Sequence, residues 1–552
     1  MRQLPPYSLF LVLLAAACAD RASDTGGGTM VVVHAGSGTS PMLPPLAVDN
    51  LGRAIVDNVY ERLAEIGPEL NSIGDRGFTP RLARSWEWAA DSMSIAFAID
   101  PRAQWHDGRP VRASDVRFTL RLLKDPKAAT QYASLLENVD SISVRDSLTA
   151  VAWFRKRTPE QFYDVAHQVY VLPEHVLKDI PPDKLATSEA AMRPMGSGRF
   201  RLARFEPGVR VELVADTAHY RGRPKLDRVI FSFVADPGAA VTQVMSGQAD
   251  FFENLPADVL QRIDTSGVAR SLRYPGLQYG FMLMNQRDPK RLAVAHPIFG
   301  DRRVRQAISM ALDRQAMVRN IFDTLGMLGS GPFSKALADT TIVLPLFDRA
   351  RAAALLDSAG WRVGPDGIRS RAGRPLRFGV MVPTSSQARM RYAVLIQEQL
   401  KSVGAQADNE SIDIRAYVDR LQSGRFDALL LALATDPARS GVRQSWGTAA
   451  FPPAGQNFAR YSNRTVDALF DSAATTFDRS RMEQQYHRAY QMLVDDAPAV
   501  WLYDPLTVAG VHKRVRVEGM RPDGWYVGLA DWWIPANERI DRDRIGLRPA
   551  QP

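Results

Sequence analysis

The sequence predicts an α/β protein with more than one domain. Apolar runs typical of buried strands alternate along the chain with segments of helical periodicity, and α/β layers require this alternation. At 552 residues the chain is too long for one ordinary core, and about 150 residues per domain divides it into three or four. Its 45% hydrophobic and 23% charged residues are typical of a globular protein.

Residue patterns predict the type of each main element. Strands are predicted at residues 30–34, 95–99, 142–144, 150–154, 211–214, 279–285, 376–383, 426–434 and 501–508. Helices are predicted at residues 51–63, 82–86, 116–122, 304–311, 348–361, 390–402 and 463–475. Asp91-Ser92 and residues 106–108 are turn signals, Ser114 or Asp115 is a candidate N-cap, and Gly360 is a candidate C-cap.

The first residues have the features of an export signal. Arg2 supplies a positive charge, and the apolar run at residues 9–17 has signal-peptide length but is too short to span a bilayer. Cys18 follows as the only cysteine, which excludes an internal disulfide. The run LAAAC resembles a bacterial lipobox and implies a lipidated Cys18. Ordinary secretion and a buried structural thiol are the alternatives.

Charge and motif content exclude several classes of function. The net charge is +9, but arginine is spread along the whole chain, so we expect a solvated basic surface and no nucleic-acid partner. The sequence lacks the G-x-S-x-G, H-E-x-x-H, C-x-x-C and Walker motifs, and its eight histidines include no pair four residues apart. We therefore expect no enzyme activity, no cofactor and no metal site, with His106 as a structural turn residue.

A series of residues in fixed order matches the signature of a known protein family. Between residues 80 and 118 it comprises Pro80, Leu82, Ala83, Ser85, Trp86, His106, Asp107, Gly108, Ala113, Asp115, Val116 and Phe118. This series resembles the signature region of the family 5 solute-binding proteins, the dipeptide- and oligopeptide-binding class served by ABC transporters. Residues 194–200, 220–227, 246–250, 301–314 and 348–361 resemble later motifs of the same family.

The resemblance implies a two-lobed periplasmic-binding-protein fold (class II, cluster C), with two crossover strands and an extra domain inserted in the first lobe. Residues 1–17 would be the signal peptide, and residues 18–29 the lipidated cysteine with a flexible tether. Residues 30–50, 194–280 and 498–552 would form lobe I. Residues 51–193 would form the inserted domain, and residues 281–497 lobe II.

The resemblance also implies a ligand site. In peptide-binding members an acidic residue of the last lobe holds the peptide α-ammonium, and Asp436 occupies the matching position. The alternative is that Asp436 only caps the turn before Pro437. Trp446 is a candidate apolar wall or a core residue. The remaining candidates are Ser37 and Thr39, in the loop expected to border the cleft, and Asn285, at the end of the strand predicted at 279–285.

The expected function is therefore that of an exported, lipid-anchored binding protein. It would be a monomer in the periplasm or at the outer face of the cytoplasmic membrane, presenting peptides to an ABC permease and its ATPase. Within the same fold, an oligosaccharide, a nickel chelate or another solute is the alternative ligand. From other classes, the alternatives are a lipid-anchored hydrolase and a sensory lipoprotein.

Overall fold

A computed structural model describes residues 27–36, 41–47, 49–128, 135–337 and 339–544. The predicted signal peptide, Cys18, Ser37 and Thr39 lie outside these residues. No helix within the described ranges combines the length and the apolar character needed to cross a membrane.

The described chain alternates strands and helices. The strands are β1 Thr29–Ala35, β2 Ala64–Glu65, β3 Thr79–Pro80, β4 Ala83–Trp88, β5 Ser94–Ile99, β6 Val139–Asp146, β7 Thr149–Phe154, β8 Phe200–Glu206, β9 Arg210–Ala215, β10 Arg228–Val234, β11 Phe251–Phe252, β12 Ala269–Pro275, β13 Gln278–Met284, β14 Arg287–Asp288, β15 Arg291–Ala295, β16 Gly326–Leu328, β17 Arg362–Val363, β18 Arg369–Arg371, β19 Arg374–Pro375, β20 Arg377–Pro383, β21 Gln406–Ile412, β22 Ala428–Ala434 and β23 Ala499–His512. The helices are α1 Asn50–Val59, α2 Ala113–Lys124, α3 Gln161–Ala166, α4 Glu174–Leu177, α5 Glu189–Met192, α6 Pro237–Met245, α7 Leu260–Thr265, α8 Arg302–Met310, α9 Arg314–Phe322, α10 Arg349–Ser358, α11 Gln387–Lys401, α12 Ile414–Ser423, α13 Val442–Trp446, α14 Arg464–Ala473, α15 Arg479–Asp496 and α16 Asp541–Arg544.

One mixed sheet of twelve strands runs through both halves of the fold. Its order is β21-β20-β22-β13-β23-β11-β1-β10-β9-β8, and β12 and β16 also pair with β23. The first part of β23 pairs with β13, and its second part pairs with β12. The chain therefore passes between the halves twice, near Gly276-Leu277 and near Asp504-Pro505, as the crossover expectation requires.

A separate four-stranded antiparallel sheet, in the order β4-β5-β7-β6, lies beside the large sheet. Its hydrophobic cluster draws almost entirely on residues 63–171, including Phe97, Trp105 and Phe162. We call this part of the molecule the small-sheet unit. The clusters beneath β13, β20 and β22 draw mainly on residues 279–503.

Most predicted strands and helices are confirmed, but the short helix predicted at residues 82–86 is wrong. Residues 83–86 form the first part of β4, which pairs with β5 through Trp86 opposite Phe97. Trp86 and Trp88 lie two apart on one face of the strand, and both indole nitrogens donate to Asp75 Oδ2, at 2.9 and 3.1 Å. This period of two is the signal that the sequence interpretation missed.

The N-cap prediction is also corrected by the structure. Helix α2 begins at Ala113 with Arg112 as its N-cap, so Ser114 and Asp115 lie inside the first turn. The Asp115 carboxylate accepts a hydrogen bond from the Arg112 backbone N–H at 2.8 Å. Asp115 therefore satisfies a free amide at the start of the helix from its third position. The predicted helix at 51–63 ends earlier, at Val59.

Gly196 and Gly198 lie against the end of α1. A Cβ atom on Gly196 would lie 1.9 Å from the Val59 carbonyl oxygen, and one on Gly198 would lie 2.4 Å from the Asn58 carbonyl oxygen. The His106 ring holds the same segment, since Nδ1 accepts from the Gly196 N–H at 3.3 Å and Nε2 lies 2.9 Å from the Gly198 oxygen. His106 is thus a structural residue at this contact, as the sequence indicated.

Candidate functional site

A cavity of about 550 Å³ lies beyond the C-terminal end of β22, between the large sheet and the small-sheet unit. On one side it is bounded by the loop at residues 69–73. On the other it is bounded by the segments at residues 434–446 and 332–337 and by one face of α15. Its volume falls within the range of pockets that enclose small organic ligands.

Asp436 is the acidic residue at the end of this strand. Its Oδ1 accepts hydrogen bonds from the Tyr163 hydroxyl at 3.0 Å and from the Ala438 N–H at 2.7 Å. No other described residue forms a hydrogen bond with Oδ2, and the side chain keeps accessible surface in the cavity wall. The Asp436 side chain is only partly buried, and the protein that replaces some of its solvating water raises the pKa of the carboxyl group.

Two further carboxyl groups are affected by the charge of Asp436. Glu160 is 7% exposed and accepts from the Arg439 N–H at 2.7 Å, the Ser440 N–H at 3.3 Å and the Ser72 hydroxyl at 3.0 Å. Burial and the charge of Asp436 raise the pKa of Glu160. Burial, Glu160 and Asp436 raise the pKa of Asp164 well above its usual range. These carboxyl groups favour a cation, while the Arg53 guanidinium offsets part of their effect at Asp436.

The opposite wall is apolar and aromatic. Trp446, at the end of α13, lines the cavity but is only 1% exposed. Its ring packs against Phe281 and Trp501 with centroid distances of 5.9 and 5.1 Å. Trp446 therefore belongs to the core and forms the rigid back of this wall.

Charged side chains line another part of the cavity. Arg479 pairs with Glu483 at 2.9 Å, and Arg439 lies 3.9 Å from the same Glu483 oxygen. Asp339 also lines the cavity and pairs with His487 at 2.8 Å. The cavity thus combines apolar surface with charges of both signs. Within the described residues, no group of acidic, histidine or cysteine side chains has the arrangement of a metal site.

Of the three predicted site residues that the structure describes, two line the cavity and one does not. Asp436 and Trp446 line the same cavity, whereas Asn285 does not line it. Asn285 is fully buried, and its amide nitrogen donates to the Gly424 and Phe426 carbonyl oxygens at 3.1 and 3.0 Å. Its amide oxygen accepts from a backbone N–H, so the side chain is used to hold a loop.

Sequence reasoning missed Tyr163, Glu160 and Ser72. All three belong to the small-sheet unit, and their contacts with residues 436–440 span between 273 and 365 positions of the chain. No local pattern marks them, because the hydrogen bonds exist only after the two parts of the fold come together.

Comparisons with known proteins agree with this geometry. Residues 77–448 match the family described as bacterial extracellular solute-binding proteins, family 5 Middle. The oligopeptide-binding protein AppA of Bacillus subtilis is 26% identical over 521 residues, which cover 92% of each chain. The structure of Bacillus subtilis AppA in complex with a nonapeptide aligns with a TM-score of 0.76 and 24% identity, covering 92% of this chain and 99% of that chain. NikZ from Campylobacter jejuni, solved in complex with Ni(L-His), aligns with a TM-score of 0.76 and 20% identity, covering 92% of this chain and 99% of that chain. The fold is therefore that of the two-lobed solute-binding proteins.

Proposed function

Because the chain belongs to family 5 of the bacterial extracellular solute-binding proteins, we propose that it captures short peptides and delivers them to the permease and ATPase of an ABC importer. Several curated relatives are named as oligopeptide-binding or ABC-transporter peptide-binding proteins, which supports this ligand class. The observation that carries the proposal is the position of Asp436, whose Oδ2 has no hydrogen-bond partner among the described residues and whose side chain lies in the cavity wall.

Asp436 has the chemistry to bind the α-ammonium group of a peptide. A buried ammonium is costly unless a carboxylate and further hydrogen bonds replace its hydration. Tyr163 and the Ala438 N–H occupy Oδ1 and fix the plane of the carboxylate, which leaves Oδ2 for the ligand. The apolar lining then takes side chains of differing shape, with water filling the remaining volume.

Capture proceeds by hinge closure. A ligand that contacts both sides of the cavity binds the closed conformation more tightly and shifts the population toward it. The two chain crossings, near Gly276-Leu277 and near Asp504-Pro505, are the positions at which this motion is absorbed. In this scheme the expected inserted domain, residues 51–193, and the expected lobe II, residues 281–497, would close on the ligand from opposite sides.

Export and anchoring complete the proposal. Residues 1–17 direct export, and Cys18 carries the lipid that holds a monomeric, non-catalytic protein at the outer face of the membrane or in the periplasm. Metabolic labelling with a fatty acid tests the anchor: the label is incorporated by the wild type and lost in Cys18→Ala. Incorporation that persists in Cys18→Ala contradicts this assignment.

Native mass spectrometry of the purified chain tests the ligand, followed by thermal unfolding against a library of short peptides. We expect a co-purified peptide or a rise in melting temperature that Asp436→Ala abolishes. Asp183→Ala, at a remote exposed carboxylate, is the matched control and should keep the response. A response to a nickel–histidine complex or to oligosaccharides, with none to peptides, would preserve the family assignment and replace the peptide as ligand.

A further inference from the structure

The segment at residues 436–440 is held from two directions. The Asp436 side chain lies in the cavity wall, while the backbone N–H groups of Arg439 and Ser440 donate to Glu160. The segment follows β22 of the large sheet, whereas Glu160 immediately precedes α3 of the small-sheet unit. One short segment therefore carries both the candidate ligand group and a contact that joins the two sides of the cavity.

We call the hydrogen bonds from the Arg439 and Ser440 N–H groups to the Glu160 carboxylate the latch, because they connect the two sides of the cavity. The buried carboxylate accepts two backbone N–H groups from the far side, and charge-assisted hydrogen bonds of this kind are stronger than neutral ones. The Ser72 hydroxyl lies 3.0 Å from Glu160 and 3.2 Å from the Pro437 carbonyl oxygen. The Arg157 guanidinium, 4.1 Å from the centre of the Phe477 ring, is a second contact between the same two sides.

The latch also brings like charges together. The charge of Asp436, on the large-sheet side, raises the cost of ionising Glu160 of the small-sheet unit, and Glu160 and Asp436 together raise the cost of ionising Asp164. The charges that act on Asp436 itself are Arg53, which favours its ionised form, and Asp523, which opposes it.

The other titratable groups that interact with Glu160 are Tyr163, on α3, and Tyr486 and Tyr490, on α15. The nearby positive charge of Arg439 lies 3.9 Å from a carboxylate oxygen of Glu483.

We propose that Glu160 makes closure of the cavity conditional on a cationic ligand group at Asp436. Hydrogen bonds to Glu160 stabilise the closed form, while repulsion between Glu160 and Asp436 opposes it. An ammonium group bound at Asp436 offsets that repulsion, so the latch holds only around a ligand of the correct charge. Glu160 is thus a positioning residue, and this inference rests on the proposed role of Asp436.

The coupling follows from differential binding. A ligand shifts a conformational equilibrium only by the difference between its affinities for the two states. A peptide with a free ammonium gains Coulomb energy chiefly in the closed state, where the Glu160 carboxylate is bonded to the backbone three and four residues after Asp436. A peptide with an acetylated terminus lacks that gain and leaves the cavity open.

Hydrogen–deuterium exchange of the full chain near pH 7 measures the latch directly. The amides of Arg439 and Ser440 exchange slowly only while they donate to Glu160. With the wild type, we expect trialanine to slow their exchange by at least about tenfold, the equivalent of about one pKa unit of interaction. N-acetyl-trialanine is expected to have no effect.

Two substitutions at Glu160 separate its charge from its hydrogen bonds. In Glu160→Gln the amide oxygen in the place of Oε1 still accepts from the Ser72 hydroxyl and the Arg439 N–H without the negative charge, so the Arg439 amide is expected to exchange slowly even without peptide. The Ser440 N–H then faces the amide nitrogen and loses its acceptor, so the comparison at Glu160→Gln is made at the Arg439 amide. In Glu160→Ala both amides are expected to exchange rapidly with and without trialanine. Glu398→Gln, at an exposed glutamate of α11, is the control and should behave as the wild type.

Amide exchange in the unliganded wild type and in unliganded Glu160→Gln tests the inference independently of the identity of the ligand. Exchange in Glu160→Gln as fast as in the unliganded wild type overturns it, and so does a wild type that is already protected without peptide. If trialanine fails to bind the wild type while unliganded Glu160→Gln is protected, the latch stands and the peptide proposal fails. A purely structural Glu160 would instead give the same change in both substitutions.

Discussion

The hydroxyl of Tyr163 donates a hydrogen bond to Asp436 Oδ1 at 3.0 Å, although 273 positions of the chain separate the two residues. The bond joins α3 of the small-sheet unit to the segment after β22. It fixes one oxygen of the carboxylate, and the other has no hydrogen-bond partner among the described residues. The orientation of the candidate binding group is therefore set by tertiary structure.

Tyr163→Phe tests this orientation. Removing the hydroxyl leaves the Ala438 N–H as the one described hydrogen bond to the carboxylate, which is then held less firmly, so we expect the affinity for trialanine to fall roughly fivefold, or about 1 kcal/mol. Isothermal titration calorimetry measures the change. Tyr220→Phe is the control, because that hydroxyl donates to Glu61 in a separate polar cavity. Equal losses in the two variants would contradict a specific role for Tyr163.

Peptide binding is expected to weaken as the pH falls. Partial burial raises the pKa of Asp436, so the unliganded carboxyl takes up its proton at a higher pH than an ordinary aspartate. An ammonium ligand requires the ionised form, and below the raised pKa the affinity falls by up to about tenfold per pH unit. Titrations of trialanine from about pH 7 to about pH 5 measure this slope.

The matched control for the pH series is Asp436→Asn. Its affinity for trialanine is expected to be weak and independent of pH, since the titrating group has been removed. A wild-type affinity that stays constant or rises on acidification would contradict the assignment of the ammonium to Asp436.

Asp504 makes the stability of the folded chain depend on pH. It lies at a crossing between the halves, is 2% exposed, and accepts the Lys335 N–H through Oδ2, while Oδ1 has no partner among the described residues. Burial raises its pKa to about 7. The stability that its neutral form contributes is fully present below the pKa of the unfolded chain and is lost as the pH rises toward and through about 7.

Asp504→Asn should remove this dependence. Relative to the wild type, the variant is expected to gain unfolding free energy as the pH rises from about 4 to about 7, by about 2–4 kcal/mol in total. Chemical denaturation at a series of pH values measures the difference. A difference that does not change with pH would show that Asp504 has the same pKa in the folded and the unfolded chain.

Gly196→Ala is expected to destabilise the fold. The added Cβ would lie 1.9 Å from the Val59 carbonyl oxygen, so backbone must move, at a cost of at least about 2 kcal/mol. Gly441→Ala is the control, because the nearest atom to its added Cβ is 4.0 Å away. Urea denaturation of both variants tests the contact, and equal midpoints would refute it.

Much of the framework could be predicted from the sequence, because its signals are local. The strand with Ile95, Phe97 and Ile99 buried has a clear period of two, and the face of α8 that buries Val304, Ala307 and Ile308 has helical spacing. The strand β4 has the same kind of local signal, since Trp86 and Trp88 lie two apart on one face, but the helical interpretation of residues 82–86 did not use it.

The candidate site was predictable only in part. Asp436 was identified through the family resemblance, and it lines the cavity. The sequence could not show that Asn285 holds a loop, because an asparagine that bonds a buried loop and one that binds a ligand look the same in a sequence. Tyr163 and Glu160 were invisible, since their role comes from contact between separate parts of the fold.

A crystal structure of the protein bound to a short peptide tests the central claim most directly. We expect the peptide inside the cavity with its terminal nitrogen about 2.7–3.0 Å from Asp436 Oδ2. The Arg439 and Ser440 amides should still donate to Glu160. A peptide bound in another cavity, or one whose ammonium group does not contact Asp436, would contradict the account.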